Sequence, residues 1–336
     1  MKQDNLDGSL SGATAEGTTT LAKAGAREWL GLALLALPTA LLGLDLTLLH
    51  LTLPALAADL QPTSTEALWI MDAYGFLIAG FLITMGTLGD RIGRRRLLMI
   101  GAAVFAVASV FAAFSTSAVM LIVARGALGV AGATLMPSTL ALISHMFADP
   151  RQRALGFGVW ATMFALGMAT GPVVGGLLLE YFWWGAAFLI AVPIVGLLLL
   201  LAPVMLPEYR APESGRIDLT SVGLSLTAML PVIYGIKQIA KDGFGPGAIG
   251  PIIVGLVFAF LFVRRQRRLA DPLLDLSLFA NKAFSVALIV LLLLYCWITT
   301  RTAGSSAMAS SVASSAGVMA YTSPSTRPGP PSTMPG

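Results

Sequence analysis

Charge is what this sequence has least of. Only 11% of its residues are Asp, Glu, Lys or Arg, against about 25% in a soluble domain. With 56% apolar residues, the composition excludes a water-soluble globular chain and predicts an integral membrane protein. Cysteine is nearly absent: Cys296 stands alone in an apolar run, so there is no disulfide framework. No G-x-x-x-x-G-K-[ST] stretch occurs, which argues against direct drive by ATP. No metal-ligand cluster is visible, and no cofactor is expected. The net charge of +4 does not point to nucleic acid, because the basic residues sit in short loops between apolar runs. A cleavable signal is also missing. Residues 1–29 form a polar Ser/Thr/Gly/Ala tail of mixed charge, expected to be disordered and cytoplasmic.

What is present is a series of nine apolar segments, at about 30–56, 67–87, 97–115, 118–141, 154–179, 184–206, 219–236, 247–264 and 283–299. Alternate loops carry the positive charge. Arg91, Arg94, Arg95 and Arg96 follow span 2; Arg151 and Arg153 follow span 4; Arg210 and Arg216 follow span 6. Arg264, Arg265, Arg267, Arg268 and Lys282 follow span 8, so these loops hold 13 of the 21 Lys and Arg. This asymmetry puts the N-terminus and all four loops in the cytoplasm. Trp183 and Trp184 fit the outer interface.

Several spans carry residues that lipid alone does not explain. Gly167, Gly171 and Gly175 are spaced by four in an uncharged run, with Gly176 beside the last. That spacing makes a helix face on which a second backbone can approach closely. Pro172 lacks a backbone donor and would bend the helix. Span 1 holds Asp45 and His50 in L-D-L-T-L-L-H-L-T-L-P. An ionisable group inside a bilayer costs about 2.5–3.5 kcal/mol on the lenient insertion scale, and is a functional candidate for that reason. Asp45 either exchanges a charge or only pairs with Arg125 of span 4 to fix the fold. His50 either titrates near neutral pH or, the favoured reading, is a neutral hydrogen-bonding core residue. Span 2 opens W-I-M-D-A-Y; Trp69 and Asp72 share a face from which Tyr74 points away. Asp72 is either a second working carboxylate or an interfacial acid wetted from outside. In the loop G-T-L-G-D-R-I-G-R-R-R-L-L (residues 86–98), Gly86, Gly89 and Gly93 permit a tight turn. Asp90 can accept from Arg91 and Arg94 and cap the following helix.

These stretches resemble the major facilitator superfamily, and within it the fourteen-span drug:proton antiporters. The loop at 86–98 is similar to the superfamily's G-x-L-x-D-R-x-G-R-R, which implies a conformational latch on the cytoplasmic side. Span 1 is similar to L-D-x-T-x-x-x-x-x-L-P, with His50 where most members carry asparagine. That histidine resembles the exporters of methyl viologen and quaternary ammonium biocides. Span 4 is similar to the R-x-x-x-G motif, and residues 167–176 to the antiporter signature G-x-x-x-G-P-x-x-G-G. Span 6 departs from its counterpart: Gly185 replaces an arginine and Ala191 an asparagine. The resemblance implies a six-helix N-terminal bundle (30–206), two linker spans (207–270) and the start of a second bundle (271–300). It implies export of lipophilic cations, small cationic amphiphiles such as quaternary ammonium biocides, viologens and dyes, across the inner membrane, driven by the proton gradient. Asp45 would be the proton and cation exchange site and Asp72 a second carboxylate near the outer mouth. Arg125 cannot shuttle a proton itself, but can favour the charged form of Asp45 when substrate leaves.

After Trp297 the character changes. Residues 301–336 contain 28 Ser, Ala, Pro, Gly and Thr among 36 and no apolar run, so this tail is expected to be disordered. A frameshift or truncation near residue 297 is the first expectation, a half-transporter that self-associates the second. Export of a neutral or anionic metabolite by the same fold is a further alternative. A truncated remnant without transport is another, since rocking needs two bundles.

Overall fold

A computed structural model describes residues 24–210, 219–242 and 245–269, with isolated positions between 282 and 293. The tail 301–336, most of the expected ninth span, and the Asp271–Phe279 segment read as an interfacial turn lie outside the described residues. The chain divides into two units, Met1–Leu274 and Asp275–Gly336. The described part of the first is all helix and turn. Its helices are α1 (Ala26–Leu60), α2 (Ser64–Ile92), α3 (Arg94–Ala113), α4 (Ala118–Met146), α5 (Pro150–Tyr181), α6 (Ala186–Leu189), α7 (Ala191–Met205), α8 (Leu219–Asp242) and α9 (Pro246–Gln266). Only Ile190 separates α6 from α7, and together they make one apolar span. Seven helices are long and apolar enough to cross a bilayer, and α8 adds the shorter apolar stretch Thr220–Ile236. The protein is an all-α polytopic membrane protein, as its composition predicts.

Local sequence sets the helix starts. Thr63 caps α2 in a reciprocal box with Glu66. The Ser117 hydroxyl accepts from the Met120 amide at the head of α4. Asp149 caps α5, with Pro150 in the first turn where no donor is lost. The helices outrun the apolar segments because such caps and polar flanks extend them. α1 begins at Ala26, inside the stretch expected to belong to the polar tail.

The pairing of helices follows their small residues. α1 packs along α5, α2 along α4, and α3 between α4 and α7; α8 packs on α9 and touches α2. In a bilayer no hydrophobic force separates helix from lipid, so close backbone approach decides the partner. α5 is the extreme case: the residues it buries are Gly156, Gly167, Gly171 and Gly175. Its large side chains, such as Leu166, Val173 and Leu177, face outward. Trp183 is exposed. Trp184 is not; it is buried and its indole N–H donates to Asp59 at the end of α1, 2.8 Å away.

Candidate functional site

Three elements converge on Arg125 of α4. It is the largest fully buried side chain among the described residues. Its Nη1 donates to Asp45 Oδ2 of α1 at 2.6 Å, and the two side chains are 2% and 10% exposed. Its Nε donates to the Ile70 carbonyl of α2 at 3.2 Å. The guanidinium lies 4.5 Å from the ring centre of Tyr74, also on α2, and 5.9 Å from that of Phe188 on α6. Gly129 makes this meeting of α2 and α4 feasible: a Cβ there would come within 2.6 Å of the Tyr74 carbonyl oxygen. Gly132, one turn on, leaves room for Ile78 and Leu42.

The structure thus brings Asp45 and Arg125 together and leaves two sequence candidates outside the pair. His50 is exposed on α1 and has no hydrogen bond among the described residues. It is not the core hydrogen-bonding histidine expected from its apolar setting. Five residues from Asp45, it sits about 140° around the helix. Asp72 is half-buried on α2. Ile70 and Tyr74 share a face of that helix, and Asp72 between them is turned about 200° away.

The antiporter-like glycines form the seam between α1 and α5. A Cβ on Gly167 would strike the Ala40 carbonyl, and one on Gly171 the Thr47 hydroxyl. From the other side, Gly43 lies against the Phe164 carbonyl. α5 runs unbroken through Pro172. The amide missing from Pro172 would have bonded the carbonyl four residues back, that of Met168. That carbonyl instead accepts from Thr47 Oγ1 of α1 at 3.0 Å. Glycine, proline and threonine therefore work as one device: Gly171 makes the space, Pro172 frees the acceptor, and Thr47 fills both. Gly176 takes no part, since nothing lies within 4 Å of a Cβ built on it, and Pro172 itself is exposed.

At the arginine-rich end the loop shrinks to one residue. Gly86 and Gly89 are helical within α2, and only Gly93, with φ of 109°, makes the turn into α3. Gly89 instead clears space for the Arg94 stem. Arg91 sits in the last turn of α2, where its charge complements the helix end. Asp90 pairs with Arg94 at 2.6 Å but does not cap α3, because it still belongs to α2. The cap comes from the segment after α7. Glu208 accepts from the Arg95 amide at 3.2 Å, and the Tyr209 carbonyl from the Arg94 amide at 2.9 Å. In return Arg95 Nη1 donates to the Pro203 carbonyl in the last turn of α7 and to that of Leu206 just past it, at 3.1 and 2.9 Å, and Arg210 donates to Ile92 at the end of α2. Glu208→Ala removes this cap and the 3.5 Å pair with Arg95. It is expected to destabilise the fold by about 1–2 kcal/mol, read as a lower melting temperature in detergent, with Glu208→Gln recovering part of the loss.

Gly185, which stands where the resembled pattern has arginine, is buried, and a Cβ on it would strike the Ala113 carbonyl. α6 therefore starts against the end of α3 with no room for a larger residue. Separately, an apolar groove of about 710 Å³ lies between α2, α4, α8 and α9, lined by Trp69, Phe76, Tyr234 and Pro251 among others; neither Asp45 nor Arg125 reaches it.

The family described as the Major Facilitator Superfamily matches residues 35–329. The chain belongs to this superfamily of membrane transporters. It is 49% identical over 274 residues to the multidrug efflux pump LfrA of Mycolicibacterium smegmatis, covering 82% of this chain and 54% of that protein. It is 37% identical over 257 residues to the methyl viologen resistance protein SmvA of Salmonella typhimurium, covering 76% and 52%. The chain thus spans about half the length of these relatives. Among solved structures it is similar to a peptide transporter, POT, bound to sulfate, with a TM-score of 0.53, 18% identity, and coverage of 71% of this chain and 53% of that one. At that identity the likeness concerns the fold alone.

Tyr74, Phe188, Thr47 and Glu208 were not among the residues the sequence singles out. Tyr74 enters only as pointing away from the face that Trp69 and Asp72 share. Thr47 lies inside the span-1 signature, and only its distance to Met168 gives it a task.

Proposed function

We propose that this chain supplies the N-terminal bundle of a proton-coupled multidrug exporter for lipophilic cations: quaternary ammonium biocides, viologens and dyes. The observation that carries the reading is the buried Asp45–Arg125 pair, 2.6 Å apart in the middle of a lipid-embedded bundle. An ion pair of this kind adds little net stability over apolar side chains of the same size. It is useful where one member must change charge. A proton or a cationic drug neutralises Asp45, and its departure restores the pair to Arg125. The multidrug efflux of LfrA and the methyl viologen resistance of SmvA support a cationic, lipophilic substrate. The reading calls for no cofactor, because the proton gradient supplies the energy. Asp72 serves as a second carboxylate toward the outer mouth. The loop of Gly86, Gly89, Asp90, Arg91, Gly93 and Arg94 serves as the latch on the cytoplasmic side, where the positive loops and the N-terminus lie. The expected location is the inner membrane.

The test is ethidium accumulation in an efflux-deficient bacterium. Expression of the chain is expected to lower accumulation, and Asp45→Asn to abolish that effect at equal abundance in the membrane. Full export by Asp45→Asn would sink the exchange role. No effect from either chain would show that it does not transport by itself.

A further inference from the structure

If Asp45 is neutralised in each cycle, Arg125 becomes a buried cation without its counter-ion. A guanidinium stays charged at any working pH, and an isolated buried charge is strongly disfavoured. Something else must hold it, and the side chains around it show what does. From α1 it pairs with Asp45. From α2 it meets the Ile70 carbonyl and the face of Tyr74, and from α6 the ring of Phe188. Tyr74 has no exposed surface, and Phe188 is 4% exposed. The Tyr74 hydroxyl is buried without a hydrogen-bond partner among the described residues. A tyrosine is normally kept in a core by its polar handle. Here the handle does nothing for stability, so the ring is what the position uses. Both ring centres fall inside the roughly 6 Å range in which an aromatic face attracts a cation.

We propose that Tyr74, assisted by Phe188, is a positioning residue: an aromatic clamp that keeps Arg125 in place during the half-cycle in which Asp45 is neutral. The clamp rests on the exchange role proposed for Asp45, which it deepens. It explains how Asp45 can be released without Arg125 being expelled toward water. The clamp attracts the cation without neutralising it, so the guanidinium remains available to take the carboxylate back. An anionic partner in place of Tyr74 would hold Arg125 permanently.

The experiment separates ring electrostatics from ring shape. The chain is purified in detergent with Tyr74→Phe, with phenylalanines of increasing fluorination at the same position, and with Tyr74→Leu. Each is made in the wild-type background and in Asp45→Asn, which mimics the neutral state. Fluorine withdraws electron density from the ring face while barely changing its size. Tyr74→Phe is expected to melt at the wild-type temperature or above it, since only an unpaired hydroxyl is lost. Melting temperature is expected to fall stepwise with fluorination, and more steeply in Asp45→Asn. Phe188→Leu is expected to steepen the slope again. A flat series in both backgrounds overturns the clamp, and needs no result from Tyr74→Leu, which risks misfolding. Equal slopes in the two backgrounds overturn its link to the neutral state of Asp45. A loss with Tyr74→Phe as large as with full fluorination assigns the role to the hydroxyl and overturns it too. The dye test above reports on Asp45 independently: normal export by Asp45→Asn together with a steep fluorination series removes the exchange reading and leaves the clamp standing.

Discussion

Arg125→Ala is expected to be the most damaging single substitution in the bundle. It leaves Asp45 as a buried carboxylate whose 2.6 Å partner is gone, and among the described residues Asp45 has no other hydrogen bond. Removing one member of a buried pair costs about 3–5 kcal/mol, a large part of the roughly 5–15 kcal/mol that holds a folded domain. The void left by so large a buried side chain adds to it. The expected result is a chain that does not accumulate in the membrane or melts far below the wild type. Asp45→Asn should be much milder, although it removes the negative charge from the same pair. Arg125 keeps the Ile70 carbonyl, the Tyr74 face and Phe188, and asparagine can still accept from it. The double change Asp45→Leu with Arg125→Met removes both charges together, so it is expected to approach wild-type stability. Melting curves and membrane yields for the four chains check the order. Equal damage from Arg125→Ala and Asp45→Asn would contradict it.

Gly167→Val is the second large effect. A Cβ at this position would strike the Ala40 carbonyl and come within 2.8 Å of its carbon and 3.0 Å of the Ala40 Cα. These are backbone atoms of a 35-residue helix, so nothing local can give way and α1 and α5 must separate. Overpacking of this kind costs about 1–3 kcal/mol and sometimes more. Separation would also break the Thr47 to Met168 bond, which satisfies the carbonyl freed by Pro172. In lipid an unpaired carbonyl has no water to turn to. Gly176→Ala is the control. It belongs to the same G-x-x-x-G-P-x-x-G-G run, yet a Cβ there meets nothing within 4 Å. It is expected to be neutral, or to stabilise by up to about 1 kcal/mol through helix propensity. Thermal melting in detergent distinguishes the two. A neutral Gly167→Val would mean that α1 and α5 are not held by this seam.

The outline of the protein was legible because a bilayer imposes simple rules. Apolar runs of span length mark the helices, and seven of the described helices are long and apolar enough to cross. The four-residue glycine spacing located the contact face of α5, since only a helix converts that spacing into a line. Buried charge is so costly in lipid that Asp45 and Arg125 stood out as candidates without coordinates.

Proximity that depends on parts of the chain far apart leaves no mark in the sequence. His50 looks much like Asp45 in a linear apolar run, and only its angle on α1 puts it outside the pair. Gly86, Gly89 and Gly93 read alike as turn glycines, yet only Gly93 has a positive φ. Asp90 was a reasonable cap for α3 until Glu208, 113 residues from the amide it accepts, took that place.

By itself the sequence determined that this is a polytopic helical membrane protein of the major facilitator superfamily, and which intramembrane charges need explaining. Those are properties of composition and period, set residue by residue by the solvent the chain must face. Only the tertiary structure decided which charge meets which, that two aromatic rings stand around Arg125, and that a threonine on α1 satisfies the carbonyl that a proline on α5 set free. Such contacts join helices whose order along the chain does not dictate their neighbours. They are fixed when small residues let particular backbones come close enough for side chains to reach across.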